Sequence, residues 1–295
     1  MSIELIRPEP EHVPELARIC FEAFKGISDA HHFPYDIPSV EVAGMLVGAI
    51  MARPDFYGVV AVETSGAGRP EILGFNFVQT SDAVGGVGPL CVDPRRQSRG
   101  VGKLLMRHIN DWSLKNHGPM MRLMQDTFNT TSLSLYTSLG YTVQEPVVLM
   151  SVAPAAAADA TVRPLTGGDL DAAGALCEAI YKVSRRNELA GMIAGGPQMG
   201  SVPQGRFVGG TMVAHLIPGF FGYCVARTNG DFLDMVQQAA RTSPPPLHKV
   251  FVPARNGELF RGALGRGFKT IKMMSLMTMG PYESPTGAWA PSVTY

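Results

Sequence analysis

Apolar residues along the first half of the chain recur at the spacing of helices. Residues 11–25 and 99–117 place them on one face, which predicts two amphipathic helices. Residues 42–51 are apolar almost throughout and predict a buried helix between them. The segment 28–38 contains His31, His32, Pro34 and Tyr35 and predicts a loop.

Shorter runs that favour β structure alternate with these helices. Residues 56–63 and 71–79 predict two strands joined by the turn-rich segment 64–70, and residues 84–92 predict a third. A strand at 121–125, a helix at 130–139 and a strand at 142–151 follow. This alternation predicts an α/β fold in which helices cover a mixed sheet.

The second half of the chain repeats parts of the first. Val162-Arg163-Pro164 matches Ile6-Arg7-Pro8, and an amphipathic helix follows both. Asn129 stands eleven residues before Gly140, and Asn256 stands eleven before Gly267. The first match is offset by 156 positions and the second by 127, so the second copy is shorter by about 29 residues. We predict a domain at 1–152, an alanine-rich linker at 153–161 and a degenerate domain at 162–295, with the missing residues around the counterpart of 30–100.

Composition narrows the environment and the partners of the protein. A length of 295 residues with 45% hydrophobic residues suits two buried cores. The 25 basic and 25 acidic residues balance, which argues against a nucleic-acid or anionic-membrane partner. No apolar run is long enough to span a bilayer and the N-terminus lacks the pattern of a signal peptide, so we expect a cytoplasmic protein. The four cysteines stand far apart, which indicates neither a zinc site nor disulfides.

Residues 87–103 carry the clearest chemical signal. They predict a strand that leads through a tight loop into the N-terminus of a helix, where the first amides lack partners and the helix dipole is positive. Gly100 and Gly102 let the backbone approach a bulky anion, while Arg99 and Lys103 add positive charge. A pyrophosphate group suits such a loop. The motifs GxxxxGK[ST] and GxGxxG of other phosphate sites are absent.

Two motifs resemble a known family. Gln97-Ser98-Arg99-Gly100-Val101-Gly102 resembles the Q/R-x-x-G-x-G/A signature of GNAT acyltransferases, and it follows Val92-Asp93-Pro94 as in that family. Residues 129–141, a helix led by Asn129 that carries Leu135-Tyr136 and closes on Gly140-Tyr141, resemble the second signature of the family. The resemblance covers about residues 3–150, with the remainder a worn copy. It implies two tandem GNAT folds, the second shortened.

The resemblance also implies a set of residue roles, with acetyl-CoA as the donor substrate and no metal. The backbone amides of Leu90, Cys91 and Val92 would pair with the pantetheine arm, and amides of this strand would stabilise the oxyanion. The pyrophosphate would be held by Gln97, Ser98, Arg99, Gly100, Val101, Gly102 and Lys103. Asn129 would contact the pantetheine, and Tyr136 would protonate the departing thiolate as general acid. The amine would attack the thioester directly.

Several of these residues also have a structural interpretation. The alternative interpretation of Tyr136 is an ordinary helix tyrosine packed in the core, and Asn129 is a favoured N-cap residue whose two roles are compatible. Cys91 has no His or acidic partner at a recognisable position and fits a buried strand. His31 and His32 lack the further ligands that a metal site needs.

The general base is left open by the sequence. The strand at 84–92 has no carboxylate where family members often place one. Asp82, Asp126, His31, His32 and a water chain all remain candidates.

The second copy lacks the chemistry of the first. Ala263 stands where Tyr136 does, and residues 227–231, the counterpart of the cofactor loop, have one glycine. We therefore predict a non-catalytic second domain. The aromatic segment 280–295 is expected to pack on a domain surface and to border the acceptor site.

We predict an N-acetyltransferase for a small-molecule amine acceptor bordered by residues 31–35. Two other functions stay open: an acyl-CoA-binding regulatory protein without turnover, and a protein-lysine or N-terminal acetyltransferase whose second domain docks a partner. Nucleic-acid and membrane partners are not expected, and a homodimer stays open.

Overall fold

A computed structural model describes residues 2–64, 70–97, 99–195 and 201–295. Contacts divide the chain into two compact units. The first comprises Met1–Thr80, Val84–Arg122 and Phe128–Thr142, and the second comprises Ser81–Ala83, Leu123–Thr127 and Val143–Tyr295. The predicted hairpin connection at 65–69 and the loop residue Ser98 lie outside the described residues.

The first unit contains a sheet and four helices in the described part of the chain. In chain order its elements are β1 (Ser2–Ile6), α1 (Val13–His31), α2 (Val40–Met51), β2 (Phe56–Thr64), β3 (Glu71–Gln79), β4 (Gly85–Val87), β5 (Cys91–Val92), α3 (Val101–Asn116), the start of β6 (Met121–Asp126) and α4 (Thr130–Ser138). The strand order is β1-β2-β3-β4-β6, and β5 pairs with β3. The predicted mixed α/β fold is confirmed.

Helix α1 follows the predicted period but ends later than predicted. Leu16, Ile19 and Cys20 are fully buried in the core that α1 and α2 form with the sheet. Residues 28–31, predicted as loop, are the last turn of α1. Ser28 is buried and extends the packed face, and the helix ends because His32 takes a left-handed conformation with φ 57°.

The extended run predicted at 84–92 is two short strands. Gly88-Pro89, joined by a cis peptide bond, separates β4 from β5. Proline has no N–H to donate to a ladder, so strand pairing is interrupted there. Before the break, β4 pairs in parallel with β6. After it, β5 pairs with β3 and, among the described residues, with no other strand.

The second unit contains two groups of strands. Its further elements are β7 (Thr142–Ser151), β8 (Val162–Pro164), α5 (Leu170–Tyr181), α6 (Arg186–Ala194), β9 (Gln204–Val208), β10 (Thr211–Leu216), β11 (Cys224–Ala226), α7 (Asn229–Thr242), β12 (Lys249–Pro253), α8 (Gly257–Gly265), β13 (Lys269–Met279) and β14 (Ala288–Ala290). One group has the order β6-β13-β7-β12 and the other has the order β14-β11-β10-β9-β8.

Strands from both sequence halves combine in the first of these groups. β7, from the first half, lies between β13 and β12 of the second. Thr127 N–H donates to the carbonyl of Met273 (3.2 Å), and Ala254 N–H donates to the carbonyl of Pro146 (2.8 Å). The two donors differ by 127 positions, as do the two acceptors, which is the offset between Asn129 and Asn256. The two copies therefore exchange their strands β7 and β13 symmetrically.

The duplicated helices α4 and α8 also begin in the same way. Asn129 has φ −84° and ψ 79°, and its side chain accepts a hydrogen bond from Ser132 N–H. Asn256 has φ −82° and ψ 75°, and its side chain accepts from Leu259 N–H. Asn129 and Asn256 are equivalent positions in the sequence repeat, and they have nearly the same backbone angles and the same kind of cap. This agreement supports the internal duplication.

The second copy keeps the order of elements and shortens several of them. α5 has 12 residues where α1 has 19, and the paired strands β9 and β10 have 5 and 6 where β2 and β3 have 9 each. The predicted linker at 153–161 contains neither helix nor strand. The boundary between the two compact units does not fall in this linker, because nearly all of β7 belongs to the second unit. The predicted domain boundary at 153–161 therefore describes the sequence repeat and stays a prediction.

The helices and the cysteines bear on the membrane and disulfide predictions. No helix in the described ranges combines the length and the apolar composition needed to cross a bilayer. All four cysteines are free and buried.

Candidate functional site

Strand β5 has one paired edge and one open edge in the described part of the chain. Val92 pairs with Gly74 of β3, and the next amide, Asp93 N–H, donates to the carbonyl of Leu73 (2.9 Å). Because successive amides of a strand point to opposite edges, the N–H and C=O of Val92 face away from β3. Gln97 Nε2 donates to the carbonyl of Val92 (3.3 Å) from that side. An extended ligand can therefore pair with the Val92 backbone as an added strand.

The N-terminus of α3 is open to a ligand. Its N-cap residue, Gly100, has φ 83°, a left-handed conformation that glycine adopts at little cost. Glycine has no side chain to accept hydrogen bonds from the first-turn amides, so these amides are left for another acceptor. A Cβ atom on Gly102 would lie 3.5 Å from Leu135 Cδ2 and 3.6 Å from Val92 Cγ2. The start of α3 thus lies against both β5 and α4.

The four cationic side chains around the loop divide into two pairs. Arg95 forms an ion pair with Asp93, and Arg96 forms one with Glu71. Arg99 and Lys103 are exposed, and neither is paired with a carboxylate within the described ranges. The first pair therefore anchors the loop, while the second pair is available to an anion.

Asp93 is the anchor that the sequence analysis missed. Its side chain is fully buried, and Oδ2 lies 2.6 Å from both Arg95 Nη2 and Arg18 Nη2. Its Oδ1 accepts a hydrogen bond from Arg95 N–H (2.9 Å). Hydrogen bonds from Arg95 and then Arg18 hold the pKa of Asp93 well below its usual range. Arg18 stands 75 positions away on α1, so only the Val-Asp-Pro motif hinted at the role of Asp93.

We expect Asp93→Asn to lower the free energy of unfolding by about 2 kcal/mol at pH 7, because the neutral amide loses the charge-assisted hydrogen bonds that Arg18 and Arg95 donate to the buried carboxylate. The folded-state pKa of Asp93 is lowered, so its contribution is complete above the unfolded-state value of about 4 and is lost as pH falls through the folded-state value. Urea unfolding at a series of pH values measures the difference. Asp171→Asn, which removes a 91% exposed partner of Arg186, is the matched control. A wild-type advantage that does not shrink in acid would contradict the assignment.

Of the two tyrosines in the second motif, Tyr136 is accessible and Tyr141 is not. Tyr141 is 1% exposed, its hydroxyl donates to Asn110 Oδ1 (2.9 Å), and burial raises its pKa. Tyr136 is half-buried on α4, with its ring 6.1 Å from that of Tyr141. Its neighbour Leu135 is the residue that approaches Gly102. Tyr136 is therefore the more accessible of the two tyrosines, and its role as general acid stays a prediction.

Cys91 and Asn129 have structural places in the fold. Cys91 is 1% exposed, and burial raises the pKa of its thiol, so the thiolate needed for nucleophilic attack is disfavoured. Asn129 caps α4, as its structural interpretation predicts. Its predicted contact with pantetheine stays a prediction.

The two carboxylates proposed as general bases are engaged elsewhere. The oxygens of Asp82 accept hydrogen bonds from Asn187 N–H and Glu188 N–H (3.0 Å each), which caps the start of α6. Asp126 forms a largely buried ion pair with Lys272 at 2.7 Å. Both carboxylates thus hold structural contacts in the second unit.

His31 and His32, at the end of α1, have different surroundings. The ring of His31 lies 5.2 Å from that of Phe128, and the ring of Phe33 stacks on Phe128 at 4.2 Å and 9°. His32 is the exposed C-cap of the helix. Phe128 directly precedes Asn129, so the loop after α1 contacts the turn that leads into α4. The predicted acceptor loop and the second motif are therefore neighbours.

In the second copy, the counterpart of the cofactor loop is too short to surround a pyrophosphate. Eight residues, 93–100, separate β5 from α3, whereas Arg227 and Thr228 alone separate β11 from α7. Thr228 Oγ1 accepts a hydrogen bond from Asp231 N–H (3.0 Å) and caps the helix. The carboxylate of Asp231 lies in the first turn, where it accepts a hydrogen bond from Thr228 Oγ1 (2.7 Å) and pairs with Arg206 (2.6 Å).

Ala263, the counterpart of Tyr136 in the second copy, makes the same backbone hydrogen bond but has a different side chain. Tyr141 N–H donates to the carbonyl of Tyr136, and Phe268 N–H donates to the carbonyl of Ala263, both at 3.1 Å. Ala263 is fully buried and has no hydroxyl. The second copy keeps the helix end and lacks the phenol.

Part of the sequence resembles a known protein family. The family model of the acetyltransferase (GNAT) domain matches residues 42–143. No curated protein matches the sequence significantly.

Solved structures match almost the whole chain. A Pyrococcus horikoshii protein described as a candidate acetyltransferase is 12% identical, with TM-score 0.75 over 97% of this chain and 92% of that one. A GCN5-related N-acetyltransferase from Sphaerobacter thermophilus is 16% identical, with TM-score 0.62 over 97% and 98%. A tandem GNAT protein from the clavulanic acid biosynthesis pathway is 13% identical, with TM-score 0.57 over 96% and 100%.

At these identities the structural matches show the fold, and the family model matches residues 42–143 alone. The tandem arrangement predicted from the repeat, with a shorter second copy, is confirmed. The open edge of β5 and the N-terminus of α3 both lie within the residues that the family model matches. Residues 42–143 match the model of the acetyltransferase (GNAT) domain, and the chain as a whole has the fold of tandem GNAT proteins.

Proposed function

We propose that the protein is an N-acetyltransferase that transfers the acetyl group of acetyl-CoA to the amine of a small-molecule acceptor. The observation that carries this proposal is the uncapped N-terminus of α3, which lies against the open edge of β5 and against α4. The N-terminus of α3 thus lies beside the open edge of β5, where acetyl-CoA would pair, and beside α4, which carries Tyr136.

The donor side is proposed to use backbone and charge together. The first-turn amides of α3 and the side chains of Arg99 and Lys103 meet the negative charge of a pyrophosphate. Leu90, Cys91 and Val92 provide the backbone beside the pantetheine, and Val92 presents its N–H and C=O to that side. Gln97 donates to Val92 along the same edge, so a bound pantetheine requires its side chain to move.

Acetyl transfer needs one proton removed and one donated. An alkyl amine is mostly protonated at neutral pH, so a base must free its lone pair before it attacks the thioester carbonyl. The phenol of Tyr136 donates a proton to the thiolate that departs. Since Asp82 and Asp126 are engaged in structural contacts, His31 is our proposed base, acting directly or through water.

The acceptor is proposed to lie beside the aromatic cluster of His31, Phe33 and Phe128. Aromatic faces attract ammonium groups and cover alkyl chains, which suits a small amine. The balanced charge of the chain supports a small acceptor rather than a strongly charged polymer.

We expect His31→Gln to lower kcat for the acetylation of an amine by about tenfold, because an exposed base is partly replaced by solvent. His32→Gln is the matched control, since His32 neighbours His31 and lies outside the aromatic contact with Phe128. Steady-state kinetics at saturating acetyl-CoA measure both variants. Equal losses in the two variants would argue against His31 as the base.

Mass spectrometry of reaction products tests the proposed function. The full chain is incubated with acetyl-CoA and panels of primary amines, amino acids and lysine-containing peptides, and CoA release is followed in parallel. The proposal predicts an acetylated small amine. Acetylated peptides alone would indicate a protein acetyltransferase, and binding of acetyl-CoA without any product would indicate a regulatory protein; either result would overturn the proposal.

A further inference from the structure

The strand of the second copy that corresponds to β5 has both edges occupied. β11 follows β10 and precedes α7, as β5 follows β3 and precedes α3. One edge of β11 pairs with β10. The other pairs antiparallel with β14, with the partners Cys224 and Ala290, Val225 and Trp289, and Ala226 and Ala288. The edge that is open in the first copy is therefore closed in the second by the segment near the C-terminal end of the sequence.

The segment that contains β14 is packed like a core element. Ala288, Trp289 and Tyr295 are at most 4% exposed, and the indole of Trp289 meets the ring of Tyr181 edge-on at 5.3 Å. The cavity left where Ala290 faces β12 has a volume of about 20 Å³. That volume holds about one water molecule, so Ala290 packs closely against its neighbours on this side.

A buried arginine, Arg185, forms hydrogen bonds with the segment that contains β14. Arg185 has a fully buried side chain and donates from Nη1 to the carbonyl of Tyr295 (2.7 Å), from Nη2 to Ser292 Oγ (3.0 Å) and from Nε to Glu188 Oε2 (2.7 Å). Its guanidinium also lies 4.1 Å from the ring centroid of Tyr223 and 4.0 Å from that of Tyr295. A buried charge is tolerated when its partners are complete, and two of these partners belong to the segment itself.

We propose that residues 286–295 are the permanent internal occupant of the second copy's cofactor cleft. The peptide strand β14 pairs with β11 where, in the first copy, a pantetheine arm would pair with β5. The chain therefore binds one acyl-CoA, and the second copy is a closed structural domain. The comparison with pantetheine rests on the proposed function, whereas the strand pairing and the arginine contacts do not.

Two independent features of the second copy agree with this assignment. The loop between β11 and α7 is too short for a pyrophosphate, and the side chain of Thr228 caps the start of α7, whereas the N-cap residue of α3 is a glycine. A cleft without its phosphate loop gains nothing from remaining open, because an unpaired strand edge exposes backbone groups that invite aggregation. Closure by the chain's own strand satisfies those groups.

Amide hydrogen exchange on the full chain tests the occupant. In Arg185→Met we expect residues 224–226 and 286–295 to exchange about tenfold faster together, while β9 keeps its protection. Ser292→Ala, which removes one contact of Arg185, is the milder variant if Arg185→Met does not fold, and the same joint change is expected. Arg163→Met is the matched control, since Arg163 also combines an ion pair and an aromatic contact but has neither with this segment. Fast exchange of 286–295 in the wild type, or loss of its protection without any change in β11, would overturn the proposal.

Titration calorimetry with acetyl-CoA completes the test on the wild-type chain. We expect one site per chain, and two sites would overturn the closed cleft. No binding at all would refute the proposed function and leave the hydrogen-exchange result to decide on β14.

Discussion

Tyr136→Phe is expected to lower kcat for amine acetylation by about 100-fold or more, with the Kd of acetyl-CoA changed less than about twofold. The substitution removes a single hydroxyl from a half-buried side chain, so the fold and the donor site are kept. If Tyr136 is the general acid, the departing thiolate must take its proton from water instead. Steady-state kinetics for kcat and titration calorimetry for Kd separate the two quantities.

Tyr141→Phe is the matched control for this prediction. It removes the hydroxyl that donates to Asn110, and we expect it to lower the free energy of unfolding by about 1 kcal/mol and to leave kcat unchanged. Full activity in Tyr136→Phe, or an equal loss of kcat in Tyr141→Phe, would show that Tyr136 is not the acid.

Gly102→Asp is expected to weaken acetyl-CoA binding by roughly 100-fold, which corresponds to about 2.7 kcal/mol. A Cβ atom at this position meets Leu135 and Val92 at ordinary contact distances, so the first atom of a side chain is accommodated. A carboxylate in the first turn of a helix is stabilised by the dipole, which keeps the protein folded. The same carboxylate repels a pyrophosphate and competes for the amides of α3.

Two controls separate charge from shape and the first copy from the second. Gly102→Ala adds the same Cβ without charge and should change the Kd only a few-fold. Gly230→Asp places a carboxylate in the first turn of α7, where a Cβ atom would lie 3.7 Å from Thr228 Oγ1, and should not change the Kd. Tight binding in Gly102→Asp, or lost binding in Gly230→Asp, would move the donor site away from α3.

Elements whose pattern is local were predictable from the sequence. The strands at 71–79 and 142–151 have the predicted bounds, because apolar runs bounded by turn residues define them. The run at 84–92 looked continuous, since a hydrophobic pattern does not show that Pro89 interrupts the ladder. The end of α1 was placed too early, because the burial of Ser28 depends on tertiary contacts.

The donor loop was recognisable because its residues are contiguous. Residues 97–103 combine glycines and cations within seven consecutive residues, so their chemistry can be read without knowing the fold. The support of that loop was not predictable, because Asp93 is held by Arg18 from a helix 75 positions away. The general base was also left open, and only the contacts of Asp82 and Asp126 leave His31 as our choice.

Pairing between distant strands lay beyond the sequence pattern. β7 and β13 are both largely buried, so their composition shows that they have neighbours but not which ones. Their exchange between the copies follows from the repeat only once the hydrogen bonds of Thr127 and Ala254 are known. In the same way, aromatic residues predicted that 280–295 packs on a surface, while its pairing with β11 required the structure.

A crystal structure of the full chain grown with CoA tests the central claim most directly. We predict one CoA per chain, with its pyrophosphate hydrogen-bonded to the first-turn amides of α3, its pantetheine beside Val92, and its sulfur near the hydroxyl of Tyr136. β14 should stay paired with β11. CoA bound to β11 or α7, or bound anywhere that leaves the N-terminus of α3 free, would contradict the account.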